Sequence, residues 1–127
     1  MSHEIIGGRF TLADGTPLPL SKAVRAGDFV FLAGQLGLDE QGRLADGITA
    51  QTEHCLRNIR GLLEAAGLGL AHVIKATVWL TDVADFAAFN QVYGRAFSDA
   101  PPVRSTVVSG LVLAGAKVEI EVVAYAG

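Results

Sequence analysis

Only two stretches of the sequence carry apolar residues at helical spacing, and this limits the possible folds more than any other feature. The first covers about residues 49–66 and is followed by Gly67, where a left-handed C-terminal cap belongs. The second begins after Asp82, a candidate N-cap, and ends before Pro101. The apolar positions of these two stripes are Cys55, Leu56, Ile59, Leu62, Leu63, Ala66, Val83, Phe86, Phe89, Tyr93 and Phe97.

The rest of the chain is typical of strands and turns. Strands are predicted near residues 4–10, 20–25, 28–34, 72–80, 103–109 and 117–125. Two helices for about six strands favour one sheet with both helices on one face over an open α/β fold. We therefore predict a single α+β domain over residues 1–127 with a mainly antiparallel, six-stranded sheet, whose other face would be covered by trimerisation.

Composition excludes several classes of partner. The net charge is −3 and the ten basic residues are scattered, so we expect no nucleic-acid surface. No apolar run approaches the ~20 residues of a spanning helix. The beginning of the chain lacks signal-peptide features, which favours the cytoplasm. The hydrophobic share of 50% fits either a rich core or an additional subunit interface.

The sequence offers no metal or cofactor motif, so we expect neither. His3-Glu4 begins a zinc-protease pattern, but Gly7 stands where the second histidine belongs. His54 and His72 have no ligand partners at useful spacing, and Cys55 lies on an apolar helix face where a core role is favoured.

Arg104 is the first candidate functional residue, because a guanidinium in an otherwise apolar or small strand needs an anionic partner. That partner could be a ligand carboxylate or one of the glutamates Glu119 and Glu121, which share one face of the last strand. If residues 103–109 and 117–125 form a hairpin, Arg104 lies near Glu121 and Thr106 near Glu119.

Several motifs together resemble the Rid (YjgF/YER057c/UK114) family. The block Pro102-Val103-Arg104-Ser105-Thr106-Val107, followed by Val118-Glu119-Ile120-Glu121-Val122, resembles the family's P-x-R-S-x-V and V-E-I-E motifs. The segments 31–35, 58–67 and 78–97 resemble its F-x-S-G-Q, N-x-x-x-x-L-x-A-A-G and V-x-L-x-D-x-x-D-F-x-x-x-N-x-x-Y motifs. The match covers roughly residues 18–125 in unbroken order.

This resemblance implies a fold like that of chorismate mutase, a barrel-like homotrimer, and sites between subunits. It also implies cofactor-independent hydrolysis of reactive 2-imino or enamino acids to 2-keto acids and ammonia. Glu119 would activate the water. The implied substrate-binding positions are Arg104 for the carboxylate, with Thr106, Gly34, Asn90 and Leu20 around it.

Two departures from the family pattern leave alternatives open. Leu20 stands where family deaminases have a tyrosine, and Ala33 replaces the serine before Gly34. The alternative is therefore a non-catalytic binder or sensor of small carboxylates, or a trimeric interaction protein without a ligand. For Asn90 a helix-to-loop hydrogen bond, and for Gly34 a simple strand end, remain the structural alternatives. The endoribonuclease label of some family members has no support in this acidic sequence.

Overall fold

A computed structural model describes residues 2–127. The strands are β1 (Glu4–Thr11), β2 (Pro17–Ala26), β3 (Phe29–Leu32), β4 (Gln35–Leu36), β5 (Val73–Leu80), β6 (Val103–Val108) and β7 (Val118–Tyr125). The helices are α1 (Gly47–Ala65) and α2 (Phe86–Ala96). Both helices and all six predicted strands are present, and a two-residue strand, β4, is added to the prediction.

The sheet has the strand order β1-β2-β3-β7-β5-β6, with the short β4 also paired to β7. All pairs are antiparallel except β5 with β6, which run parallel. The strand β5 therefore lies between β6 and β7, and residues 103–109 and 117–125 do not form the hairpin that was considered as a possibility. The physical reason is that α2 carries the chain from β5 back to the start of β6, and such a crossover produces a parallel pair.

Local chemistry explains where the helices begin and end. Gly67 follows α1 with φ of +77°, a conformation that L residues with side chains rarely adopt. Asp82 accepts a hydrogen bond from the Ala84 backbone N–H at 2.9 Å and caps a 3-10 turn, Val83–Asp85, that leads into α2. Gly67 is confirmed at the end of α1, whereas Asp82 caps the 3-10 turn and not α2 itself, whose N-cap is Asp85.

The core lies between the two helices and one face of the sheet. It is formed by alternate residues of the strands and by the apolar stripes of the helices, with Ile59, Leu63, Val78, Phe89 and Ile120 almost fully buried. Fully burying a side chain of this size contributes about 1.5–3 kcal/mol. The prediction of two helices on one sheet face is confirmed.

The opposite face of the sheet, here called the open face, carries large exposed apolar side chains. Val103, Lys75, Val123, Phe31 and Val24 form one row across the paired strands. Within this row Val103 and Phe31 are exposed, whereas Val24 and Val123 are half-buried. Other exposed apolar residues of the open face are Phe29, Val107 and Tyr125, with the ring centres of Phe29 and Tyr125 5.1 Å apart. An apolar surface of this extent is typical of a face that a partner covers.

Within residues 2–127, neither helix has the length and apolar character needed to cross a membrane.

Candidate functional site

Arg104 lies on the helix side of the sheet, at the edge strand β6. Its Cα partner across the strands is Ala76, a fully buried residue, so the arginine side chain points toward α2. Its guanidinium carbon lies 5.7 Å from the ring centre of Phe86, 5.5 Å from that of Phe89 and 4.8 Å from that of Tyr93. Arg104 is half-buried, and its positive charge lies among three aromatic rings.

Asn90 supplies the one side-chain hydrogen bond that Arg104 makes within residues 2–127. The Arg104 Nη1 group donates to Asn90 Oδ1 over 2.9 Å. No carboxylate in this described part of the chain pairs with the guanidinium. A guanidinium has five N–H donors, so most of its hydrogen-bonding capacity remains for a ligand. The structural alternative for Asn90, a helix-to-loop bond, is not what is observed, because the bond joins α2 to strand β6.

The two glutamates of β7 lie on the open face, away from Arg104. Trp79 of β5 pairs with Glu119 on one side and Val107 on the other, and Thr77 pairs in the same way with Glu121 and Ser105. Directly paired residues share a sheet face, whereas Arg104 and Thr106 lie in the alternate rows. The closeness of Arg104 to Glu121, and of Thr106 to Glu119, which depended on a hairpin, is therefore wrong. The alternative of a salt bridge between Arg104 and one of these glutamates is excluded within residues 2–127.

Gly34 and Glu119 form the second group of candidate residues. A Cβ atom built on Gly34 would overlap Oε2 of Glu119 and would lie 2.8 Å from its carboxyl carbon. The Glu119 side chain therefore lies directly over the glycine backbone, and only a residue without a side chain fits there. Gly34 thus does more than end a strand.

The environment of Glu119 favours its protonated form more than water would. Burial raises the pKa of its carboxyl above the ordinary value, and repulsion from Glu121 raises it further. A carboxylate with a raised pKa is a better proton acceptor at neutral pH than an exposed glutamate. The pKa of Glu119 is thus shifted in the direction that a general base requires.

A hollow of about 440 Å³ on the open face lies beside this group. Its lining includes Ser21, Phe31, Ala33 and Glu121. Leu20 adjoins Ser21 on β2 and is exposed. The six predicted site residues thus fall into two regions. Arg104, Asn90 and Thr106 lie on the helix side of the sheet, where Arg104 and Asn90 are hydrogen-bonded. Gly34, Glu119 and Leu20 form the second region, where Gly34 and Glu119 are in contact.

Sequence reasoning missed one residue that shapes the second region. Gln51 of α1 is 2% exposed, and its amide nitrogen donates to the backbone oxygens of Ala45 and Gly115. Its amide oxygen accepts from the Lys117 backbone N–H at 2.8 Å. This clamp fixes the start of β7, two residues before Glu119. The signal for this role in the sequence was a polar residue, Gln51, on the predicted apolar face of the first helix.

Cys55 and His72 play structural parts. Cys55 is fully buried, and burial raises the pKa of its thiol, so a reactive thiolate is disfavoured. His72 accepts a hydrogen bond from the Gly69 backbone N–H at its Nδ1 atom. Among residues 2–127, no three side chains of the metal-binding types come together.

By fold, then, the chain is a two-layer α+β protein with charged groups on both faces of one sheet. The model of the family described as Endoribonuclease L-PSP matches residues 15–126. The chain is 43% identical over 110 residues to Protein DfrA of Myxococcus xanthus, covering 84% of each chain. It is 38% identical over 111 residues to the 2-iminobutanoate/2-iminopropanoate deaminase of Capra hircus, covering 86% of this chain and 81% of that one.

The crystal structure of RidA from the Antarctic bacterium Psychrobacter matches with a TM-score of 0.82 and 40% identity, over 85% of this chain and 89% of that one. The chain belongs to the Rid (YjgF/YER057c/UK114) family.

Proposed function

We propose that the protein hydrolyses small 2-imino acids, or their enamine tautomers, to 2-keto acids and ammonia. The observation that carries this proposal is the half-buried guanidinium of Arg104, which has no carboxylate partner among residues 2–127. Such a charge is a strong, directional receptor for a substrate carboxylate. The goat relative is named for the deamination of two such substrates, 2-iminobutanoate and 2-iminopropanoate.

The proposed reaction needs one water and no cofactor. Glu119 accepts a proton from the water as the water oxygen bonds to the imine carbon, and the C=N π pair moves to nitrogen, which takes a proton from solvent. The carbinolamine formed in this way then collapses: its hydroxyl gives a proton to solvent, the C=O bond forms, the C–N bond breaks and ammonia leaves. The proton taken by Glu119 is returned to the departing nitrogen, so the enzyme ends unchanged.

A site that uses both charged residues requires two copies of the chain. Arg104 lies on the helix face of the sheet and Glu119 on the open face, with β5 between their strands. We therefore propose that Arg104, Asn90 and Thr106 of one copy face Glu119, Gly34 and Leu20 of a second copy in a homotrimer. The exposed apolar side chains of the open face support this assembly, because burying them between copies would stabilise it.

The direct test generates 2-imino acids with an amino-acid oxidase and traps the remaining imine with semicarbazide. The wild-type protein should lower the amount of trapped imine. The variant Arg104→Ala should abolish this effect because it removes the carboxylate receptor, and Glu119→Gln should abolish it because it removes the base. No decrease for any of several substrate side chains would overturn the proposal.

A carboxylate-binding protein without catalysis is the second candidate. One observation favours it: the region around Arg104 and Asn90 is complete within one chain, whereas Glu119 lies elsewhere. The variant Glu119→Gln distinguishes the two functions. An enzyme loses turnover but keeps its affinity for keto acids, while a binder has no turnover to lose.

A further inference from the structure

The three rings around Arg104 all belong to α2, and their spacing along the helix places them around one guanidinium. Phe86, Phe89 and Tyr93 occupy positions i, i+3 and i+7 of α2, which share one helix face. Asn90, the hydrogen-bond partner of Arg104, is one position from Phe89 on that face. The four side chains surround the guanidinium with three rings and one amide oxygen.

This arrangement holds the charge without neutralising it. An aromatic ring attracts a cation through its quadrupole but carries no net charge and accepts only weak hydrogen bonds. A glutamate in the same place would cancel the charge and occupy the two N–H groups that a carboxylate ligand needs. Rings therefore order the arginine while its strong donors stay free.

We infer that Phe86, Phe89 and Tyr93 are positioning residues that fix the orientation of Arg104 before a carboxylate arrives. This rests on the proposed capture of the substrate carboxylate by Arg104. A free arginine side chain loses rotamer freedom when it binds a ligand, and that loss weakens binding. Here the side chain of Arg104 loses its rotamer freedom during folding, so the ligand binds a guanidinium that is already oriented.

Phe86 is the best position for a test, since it is 40% exposed and its ring can be removed with little damage to the core. Phe97 is the matched control. It is buried and its ring centre lies 4.7 Å from that of Tyr93, with the two rings tilted by 44°, but it is not one of the rings over Arg104. Phe86→Tyr restores a ring at the test position.

The experiment titrates the wild type and each variant with the stable keto acid 2-oxobutanoate and follows the Arg104 Nε–H resonance by NMR. We expect Phe86→Leu to weaken binding about fivefold, as the loss of one cation–π contact implies. Its Arg104 Hε resonance should also move in the ligand-free protein, because a ring current is lost. Phe86→Tyr should recover the affinity, and Phe97→Leu should change thermal stability without changing affinity.

Two results would overturn the inference: a wild-type dissociation constant in Phe86→Leu, or an Hε resonance that does not move in it. If the wild type binds no keto acid, the proposed function fails instead. The ligand-free Hε shift then still decides whether the ring of Phe86 fixes the arginine.

Discussion

The carboxylate of Glu119 occupies the space over Gly34 where any other residue would carry its Cβ. Gly34→Ala should therefore displace the Glu119 side chain and lower imine hydrolysis at least tenfold, since small misplacements of a catalytic group have large effects. The Gly34 backbone is not in the left-handed region, so an alanine strains no dihedral angle and the fold should persist. Activity assays with a thermal melt check this.

Gly69→Ala is a useful control, because a Cβ at Gly69 meets no atom within 4 Å. It should leave hydrolysis unchanged. Full activity in Gly34→Ala would show that the position of the Glu119 carboxylate is irrelevant to the reaction.

The raised pKa of Glu119 predicts the acid side of the pH–rate profile. The base must be ionised, so kcat should fall as the pH drops through the pKa of Glu119, which lies above the ordinary glutamate value of 4.5. Glu121 contributes to this elevation by repulsion. Glu121→Gln should therefore shift the acid limb to lower pH, and an unshifted limb would exclude Glu119 as the titrating group.

The same pKa shift makes a prediction about stability. Because folding raises the pKa of this carboxyl, its charged form opposes folding at pH values above the folded pKa, and the effect vanishes below the unfolded value near 4.5. Glu119→Gln should thus raise the melting temperature at pH 7 more than at pH 4. Melting curves at both pH values provide the measurement, and an equal change at the two would argue against the shift.

Mixing two inactive variants tests the site between copies. If each site takes Arg104 from one chain and Glu119 from another, random trimers of Arg104→Ala and Glu119→Gln chains in equal amounts regain intact sites. One site in four should be intact, giving about a quarter of wild-type activity. Refolding the variants together, and separately as controls, provides the comparison. Activity that stays at the level of the separate variants would place both residues in one chain's site or in none.

The Gln51 clamp predicts a stability effect without any change in chemistry. Gln51→Leu leaves two backbone oxygens and the Lys117 N–H without their partners, which should lower the free energy of unfolding by about 2–4 kcal/mol. Urea denaturation measures this loss. The exposed Gln91 of α2 is the control, and Gln91→Leu should change stability by less than about 0.5 kcal/mol. Equal losses in the two variants would contradict the clamp.

Most of the elements, but not their order in the sheet, could be predicted from the sequence. Helical spacing and Gly67 are local signals that located α1 and its end, and Asp82 located the 3-10 turn that leads into α2. The insertion of β5 between β6 and β7 depends on contacts between distant parts of the chain, which no local pattern encodes.

The residues of the candidate site could also be predicted only in part, because local patterns do not reveal the order of the strands. Alternation in β7 correctly placed Glu119 and Glu121 on one face, but only the sheet order reveals that Arg104 is on the other. The aromatic stripe of α2 was predicted as one apolar face of the second helix. Part of this stripe surrounds the Arg104 guanidinium because the parallel pairing of β6 with β5 brings Arg104 under α2.

The position of β7 has a consequence for biosynthesis. This strand pairs with β3 and β4 on one side and with β5 on the other, yet it is the last strand of the sheet to leave the ribosome. Until residues 118–125 emerge, the nascent chain holds two incomplete half-sheets, each with an unpaired edge that can join another chain. The sheet can therefore be completed only when the final strand is available. A chain truncated before residue 118 would be prone to aggregation and would not form a smaller stable domain.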